Sequence, residues 1–542
     1  MSTVIPGISP SVIPNLSTTT IRNWTTEDYA ALSTDQLIAF TTAQASVILS
    51  SSLAVLKSDQ IRAFQTEDLR AIATSALAGF SSDQIQALKT DQVQALSTSQ
   101  IAVLSTAQIQ GLSSADMVAL TSGQIGALTS AQLGNLSTAQ IAAIETVDIK
   151  SITTAALRNL SSTQLDAFTS DQLRALSSGQ VNSLTTSQVN TLGTADLNSL
   201  SSSQFANLST AQAQALTATQ LGNLATDNLN ALGTGHFAVL SSTQFGGLTT
   251  GQLSKLETAD LRAVTTAALN GLSSDQVGAL ASDAVGSLTT AQVGSLGTAQ
   301  IKGLTTGDMV ALTSAQVASL TSTQAGSLST AQIAAIETAD IKSLTTGALR
   351  NLSSDQLDAF TSDQLRALSS GQVNSLTTGQ INTLGTADLN SLTSSQFSNL
   401  SSGQVQALTN TQLANLATDN LNALGTAQFA ALSSSQFGAL TTGQLGKLET
   451  ADLRAVTTAA LNGLSSDQVG ALASDAVGSM TTAQVASLGT AQIKGLTTGD
   501  MVALTSAQVA SLTSTQAGSL STAQIAADAT PGQIEAPPRS RA

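Results

Sequence analysis

From Leu16 to Leu520 a large apolar residue falls on every eighth position, 64 times in succession, with no insertion or deletion. Leu16, Trp24, Leu32, Phe40, Ile48 and Leu56 open the series. With that residue counted as position 8 of an octad, position 5 is apolar too, as at Ile21, Tyr29, Leu37, Ile101, Ile109 and Met117. It thins to Ala at Ala45, Ala213 and Ala325. Apolar residues three apart follow a helical period rather than the alternation of a strand. Position 2 is Ser or Thr with rare departures such as Asn410, and short side-chain oxygens are the preferred N-caps of helices. Position 4 is mostly Gln or Asp, which sets an amide or carboxylate near the positive end of the helix. The pattern predicts a cap at position 2, a helix over positions 3 to 8 and a one-residue turn at position 1.

Six helical residues span about 9 Å, too short to survive alone because nucleation costs more than one turn returns. The helices must stack. The expectation is an all-α solenoid with one very short helix per octad. Positions 5 and 8 form its internal ridge, and small residues at position 7 let neighbours approach. A β-solenoid with Ser and Thr at its corners is the alternative, and circular dichroism separates the two.

A longer repeat overlies the octad. "STAQIAAIETVDIKSI" at Ser137 returns as "STAQIAAIETADIKSL" at Ser329, and "STAQIAA" starts again at Ser521, each offset being 192 residues or 24 octads. The charged phrase at Glu145 recurs at Glu257, Glu337 and Glu449, at intervals of 14, 10 and 14 octads. These even intervals suggest two octads per coil. With helix layers roughly 8–10 Å apart, about 32 such coils would make a rod on the order of 250–320 Å long. The expected organisation is an N-terminal cap or arm over 1–15 and a continuous solenoid over 16–527. Within it lie the long copies 137–328 and 329–520, with a third cut short from 521. A flexible tail follows over 528–542, where the octad register ends.

Composition narrows the function classes. Only 10% of residues are charged, 2% are aromatic, and there is one His and no Cys. The net charge of −15 opposes nucleic acid as a partner, which requires a basic stripe. No apolar run nears the roughly 20 residues that span a bilayer. The segment "MSTVIPGISPSVIPN" has no basic n-region, so a cleavable secretory signal is not expected. The missing cysteines exclude a disulfide framework and thiolate metal sites.

Candidate chemistry is sparse. His236 is the sole histidine and sits at position 4 of "GTGHFAVL", whereas the octad 192 residues on carries Gln428 there. It reads as a solvent-facing substitution. Glu145, Asp148 and Lys150, with Glu257, Asp260 and Arg262, and with Glu337, Asp340 and Lys342, form charged seams. They read as surface ion clusters rather than acid–base pairs or Ca²⁺ ligands. Phe237, Phe245, Phe429 and Phe437 hold core position 5 and read as packing. No residue is assigned a catalytic, cofactor-binding or metal-binding role, and an enzyme is not expected.

The phrase [ST]-[ST]-x-[QD]-[ILV]-x-x-L, as in "LSTAQIAAI" and "LTSAQVASL", resembles octapeptide-repeat tracts of very large bacterial surface or secreted proteins. Those proteins are often labelled adhesin-like or haem-utilisation proteins. The resemblance covers about 16–527 and implies an extracellular or cell-surface structural protein, although no haem ligand pair accompanies it. The expected function is an elongated rigid rod, as a surface filament, sheath subunit or adhesin stalk. The alternative is a solenoid scaffold that binds another protein. Expected partners are further copies of the chain or cell-surface proteins. Export would follow a route without a cleavable signal, and a cytoplasmic location stays open.

Overall fold

The computed structural model describes residues 5–528. These contain sixty-two short α-helices, four 3₁₀ turns and no strand. The all-α solenoid of one short helix per octad is what forms, and the β-solenoid alternative falls. The described residues divide into two compact units, one ending at Leu272 and the other starting at Ser273. The expected tail lies outside the described residues apart from Asp528, which closes the last helix.

The octad Ser329–Ile336 shows the local logic. Ser329 is extended (φ −73°, ψ 160°), the helix runs Thr330–Ala335, and Ile336 turns extended again (φ −61°, ψ 132°). Ser329 Oγ accepts from the Gln332 N–H at 3.2 Å, and Gln332 Oε1 accepts from the Ser329 N–H at 2.8 Å. This reciprocal capping box satisfies two of the N–H groups that every helix leaves free at its start. The cap is therefore position 1, the helix begins at position 2, and position 8 is the extended link, one residue displaced from the expected register. The displacement has a physical cause. Gln Oε1 caps the position-1 N–H whatever side chain stands there, as at Lys57 (2.7 Å), Lys89 (2.8 Å) and Gly297 (2.9 Å). The true cap position is thereby free to vary in sequence.

Position 5 and position 8 point inward in the interior of the array, with Ile333 at 1% and Ile336 at 2% exposure, whereas Ile525 in the last helix is 52% exposed. Each fully buried aliphatic side chain contributes about 1.5–3 kcal/mol against its exposed state. Phe237, Phe245, Phe429 and Phe437 are wholly buried, so these rings do pack the core. In the first unit Trp24 stands edge-on to Tyr29 and Phe40, and the Tyr29 hydroxyl donates to the Ile21 carbonyl at 3.0 Å.

The expectation of two octads per coil is overturned. Within each unit helices pack against those three octads on, and buried hydrogen bonds reach to carbonyls 28 and 31 residues behind, in the fourth octad back. One coil thus takes between three and four octads, near 28 residues rather than 16, and the length estimate built on 32 coils falls with it. Seven octads make about two turns, so a coil never closes on a whole octad and leaves no integer signature in the sequence. The coils lie very close at position 7. A Cβ at Gly303 would sit 2.2 Å from the Ser274 carbonyl oxygen, and one at Gly463 would sit 1.9 Å from that of Ser434. Only glycine fits this approach of backbone to backbone.

Candidate functional site

Helices of four to six residues leave carbonyls open at their C-terminal ends as well as N–H groups at their starts. In this fold those carbonyls are buried, and leaving a buried polar group unpaired costs about 1–3 kcal/mol. Position 4 supplies the missing donor. Gln332 Nε2 donates to the carbonyls of Ile301 at 2.8 Å and Leu304 at 2.7 Å, the position-5 and position-8 residues of the fourth octad back. Gln332 is 4% exposed. Its amide thus makes three bonds at once, one holding its own helix start and two closing the helix end of the coil beneath.

The clamp recurs along both units. It begins with Gln36, which reaches Ile5 and Ile8 at 2.8 and 2.7 Å, and extends to Gln524, which reaches Ile493 and Leu496 at 2.9 and 2.7 Å. The sequence pattern places position 4 in the first turn near the positive end of the helix and does not reveal this role, because the carbonyls it serves lie in another coil. The available signal was the near-constancy of Gln immediately before a core residue, where a solvated surface would have drifted.

His236 is part of the same ladder. Its Nδ1 accepts from the Gly233 N–H at 3.1 Å, and its Nε2 lies 2.6 Å from the Leu208 carbonyl oxygen. The neutral tautomer with the proton on Nε2 satisfies both bonds. Gln428 makes the matching pair in the later copy, with Gly425 and Leu400. The expectation of a solvent-facing His236 is corrected: the imidazole is half-buried and stands in for the amide.

The charged seams come apart in the same way. Glu145, Glu257 and Glu337 and their partners Lys150, Arg262 and Lys342 are exposed. The aspartates between them are buried: Asp148 and Asp260 are 3% exposed and Asp340 is 8%. Asp148 accepts from the Ser122 hydroxyl and Asp340 from that of Ser314, each 26 residues behind. These aspartates are therefore interior residues of the clamp row, which corrects their reading as surface ion clusters. Asp308 likewise accepts from Ser282 Oγ at 2.8 Å and from the Thr305 N–H at 2.7 Å. Among the described residues no group of three or more His, Asp or Glu converges as a metal site.

A sequence model of the ALTTAQ repeat matches twelve stretches, ten of which overlap a neighbour: 61–98, 93–122, 110–143, 141–178, 190–226, 253–290, 304–335, 333–370, 413–448, 445–482, 477–506 and 495–527. The chain belongs to the ALTTAQ repeat family. The six letters of that name can be placed in three dimensions on the near-match "SLTTAQ" at 287–292. Leu288 is core, Thr289 caps, Thr290 and Ala291 start the helix, and Gln292 Oε1 closes the capping box on the Thr289 N–H at 2.8 Å. The phrase thus marks one N-capped helix, while each matched stretch spans several such helices. No curated protein matches the chain. The solved structure described as "Structure of APUM23-GGAAUUGACGG" is similar over 82% of this chain and 91% of that one, at 12% identity and a TM-score of 0.16. Among the described residues no helix is long and apolar enough to cross a membrane.

Proposed function

We propose that this ALTTAQ array is a structural element, an elongated and stiff spacer or filament component. The observation that carries the reading is the clamp row, in which the position-4 amide of most octads ties each coil to the coil beneath. Stiffness follows from this arrangement, because bending a solenoid must open polar contacts that have no other partner in the interior. A structural role also accords with chemistry-bearing residues serving the ladder, since the sole histidine and the buried seam aspartates all occupy clamp positions.

The proposal extends to place and partners: an extracellular or cell-surface setting, with lateral or end-to-end contacts to further copies. Support for the setting is the cysteine-free, acidic composition, with no Cys and a net charge of −15. Negative-stain microscopy of the purified chain tests the reading. Isolated rods fit a spacer, long polymers fit a filament, and compact globules would overturn both.

A further inference from the structure

We propose that Asp68, Asp260 and Asp452 are pH-gated forms of the glutamine clamp: the neutral carboxyl donates its O–H to the carbonyl row beneath, and the ionised carboxylate loses that bond. The three lie 192 residues apart, at position 4 of "QTEDLRAI", "ETADLRAV" and "ETADLRAV". They are 1%, 3% and 4% exposed. Asp68 Oδ2 is buried with no hydrogen-bond partner. In the register of the ladder, 31 and 28 residues behind Asp68 stand the carbonyls of Leu37 and Phe40. A carboxylate cannot donate to a carbonyl, whereas a carboxylic acid can. The shorter side chain still reaches the row, since Asn228 occupies the same position and its Nδ2 donates to the Leu200 carbonyl at 3.4 Å.

Two features together set these aspartates apart from their relatives: what stands at position 1 and, 26 residues behind, Thr42, Thr234 and Thr426 where Asp148 and Asp340 accept from Ser122 and Ser314. Asp116 and Asp308 receive position-1 help: Ser113 Oγ and N–H donate to the first at 2.6 and 2.9 Å, and the Thr305 N–H donates to the second. Before Asp68, Asp260 and Asp452, position 1 is Gln65, Glu257 and Glu449, none of which makes a side-chain cap bond. The charged groups nearby are few. Asp68 has Glu67 and Arg70 on its own helix, no charge on the packed helix Thr42–Ala45, and the exposed Asp91 on Thr90–Ala95. Asp260 has Glu257 and Arg262, with His236 on the packed helix Thr234–Phe237. Asp452 has Glu449 and Arg454, no charge on Thr426–Phe429, and the exposed Asp475 on Ser474–Gly478.

Burial, reinforced by the adjacent glutamate, pushes each of the three carboxyls up to about 6, with His236 opposing the shift at Asp260. An aspartate in the unfolded chain titrates near 3.8. The folded chain therefore binds these protons more tightly. The stability they contribute is complete below the unfolded value and is lost as pH rises through about 6. The sign is opposite to ordinary acid denaturation.

The test is thermal unfolding of the full chain by circular dichroism at pH 4.5 and pH 7.5, comparing wild type with D68N/D260N/D452N. Asn fixes the donor that the protonated acid supplies. The variant is expected to melt several degrees above wild type at pH 7.5 and by a clearly smaller margin at pH 4.5. A variant that gains equally at both pH values, gains nothing at pH 7.5, or fails to fold overturns the proposal. Titration of the remaining acidic residues acts on both proteins alike and cancels in the comparison.

Discussion

The Gln332 side-chain amide donates to the Leu304 carbonyl at 2.7 Å across a separation of 28 residues, and that bond fixes both the pitch of the coil and the fate of a helix end. Replacing Gln332 with Met keeps the volume and removes the donor. It leaves the Leu304 carbonyl and the Ser329 N–H short of a partner, and the Ile301 carbonyl with only the Leu304 N–H. A loss of about 1–3 kcal/mol per unsatisfied group is expected. Because contacts in a solenoid are between neighbours, amide hydrogen exchange should speed up around residues 297–304 and 329–336 and stay unchanged many coils away. Uniform loss of protection along the unit would contradict the clamp as a local device.

His236→Gln restores the residue of the sister copy. Stability within about 0.5 kcal/mol of wild type is expected, because Gln428 already makes the same two kinds of bond in its own octad. His236→Leu removes both the donor and the acceptor, and its melting temperature should fall. Equal melting temperatures for the two variants would remove His236 from the ladder.

Gly463→Ala places a methyl group 1.9 Å from the Ser434 carbonyl oxygen. Overpacking of this kind costs about 1–3 kcal/mol, and the local coil spacing must widen to relieve it. Gly371→Ala is the control, since the nearest atom to its added Cβ is 4.0 Å away. Circular dichroism melts should separate the two variants, with the control at or above wild type.

How much of this was legible in sequence depends on which contacts are local. The helix, its length and its buried face follow from residues inside one octad, such as Ile333 and Ile336, and the period of three predicts them. The cap was misplaced by one residue because Ser or Thr fills both positions 1 and 2. The more constant of the two, position 2, is the first helical residue rather than the cap. The coil was misjudged because its closure is carried by pairs such as Gln332 and Leu304, whose separation is not a simple multiple of the visible repeat. The 14-octad interval between Glu145 and Glu257 spans 112 residues, about four turns of 28, so an even count was compatible with the wrong coil. The buried aspartates were unreadable for a related reason. Asp148 and Asp260 share a phrase, and only the residue three octads behind, Ser122 against Thr234, distinguishes them.

Ser329→Ala probes the cap register directly. Removal of an N-cap hydroxyl costs about 0.5–2 kcal/mol, while Gln332 Oε1 goes on holding the residue-329 N–H. Thr330→Ala, at the position first taken for the cap, should cost less than Ser329→Ala in the same melt. The reverse order would restore the cap to position 2.

The coil of about 28 residues is tested most directly by engineered disulfides, since the chain has no cysteine of its own. The Ser370 and Ser395 hydroxyls lie 3.2 Å apart although 25 residues separate them, close to the reach that a disulfide needs. Ser370→Cys with Ser395→Cys should oxidise readily within one chain under mild conditions, as read by mass spectrometry. Ser370→Cys with Thr386→Cys, spaced for a coil of two octads, should stay reduced. A bond in the second pair and none in the first would contradict the account.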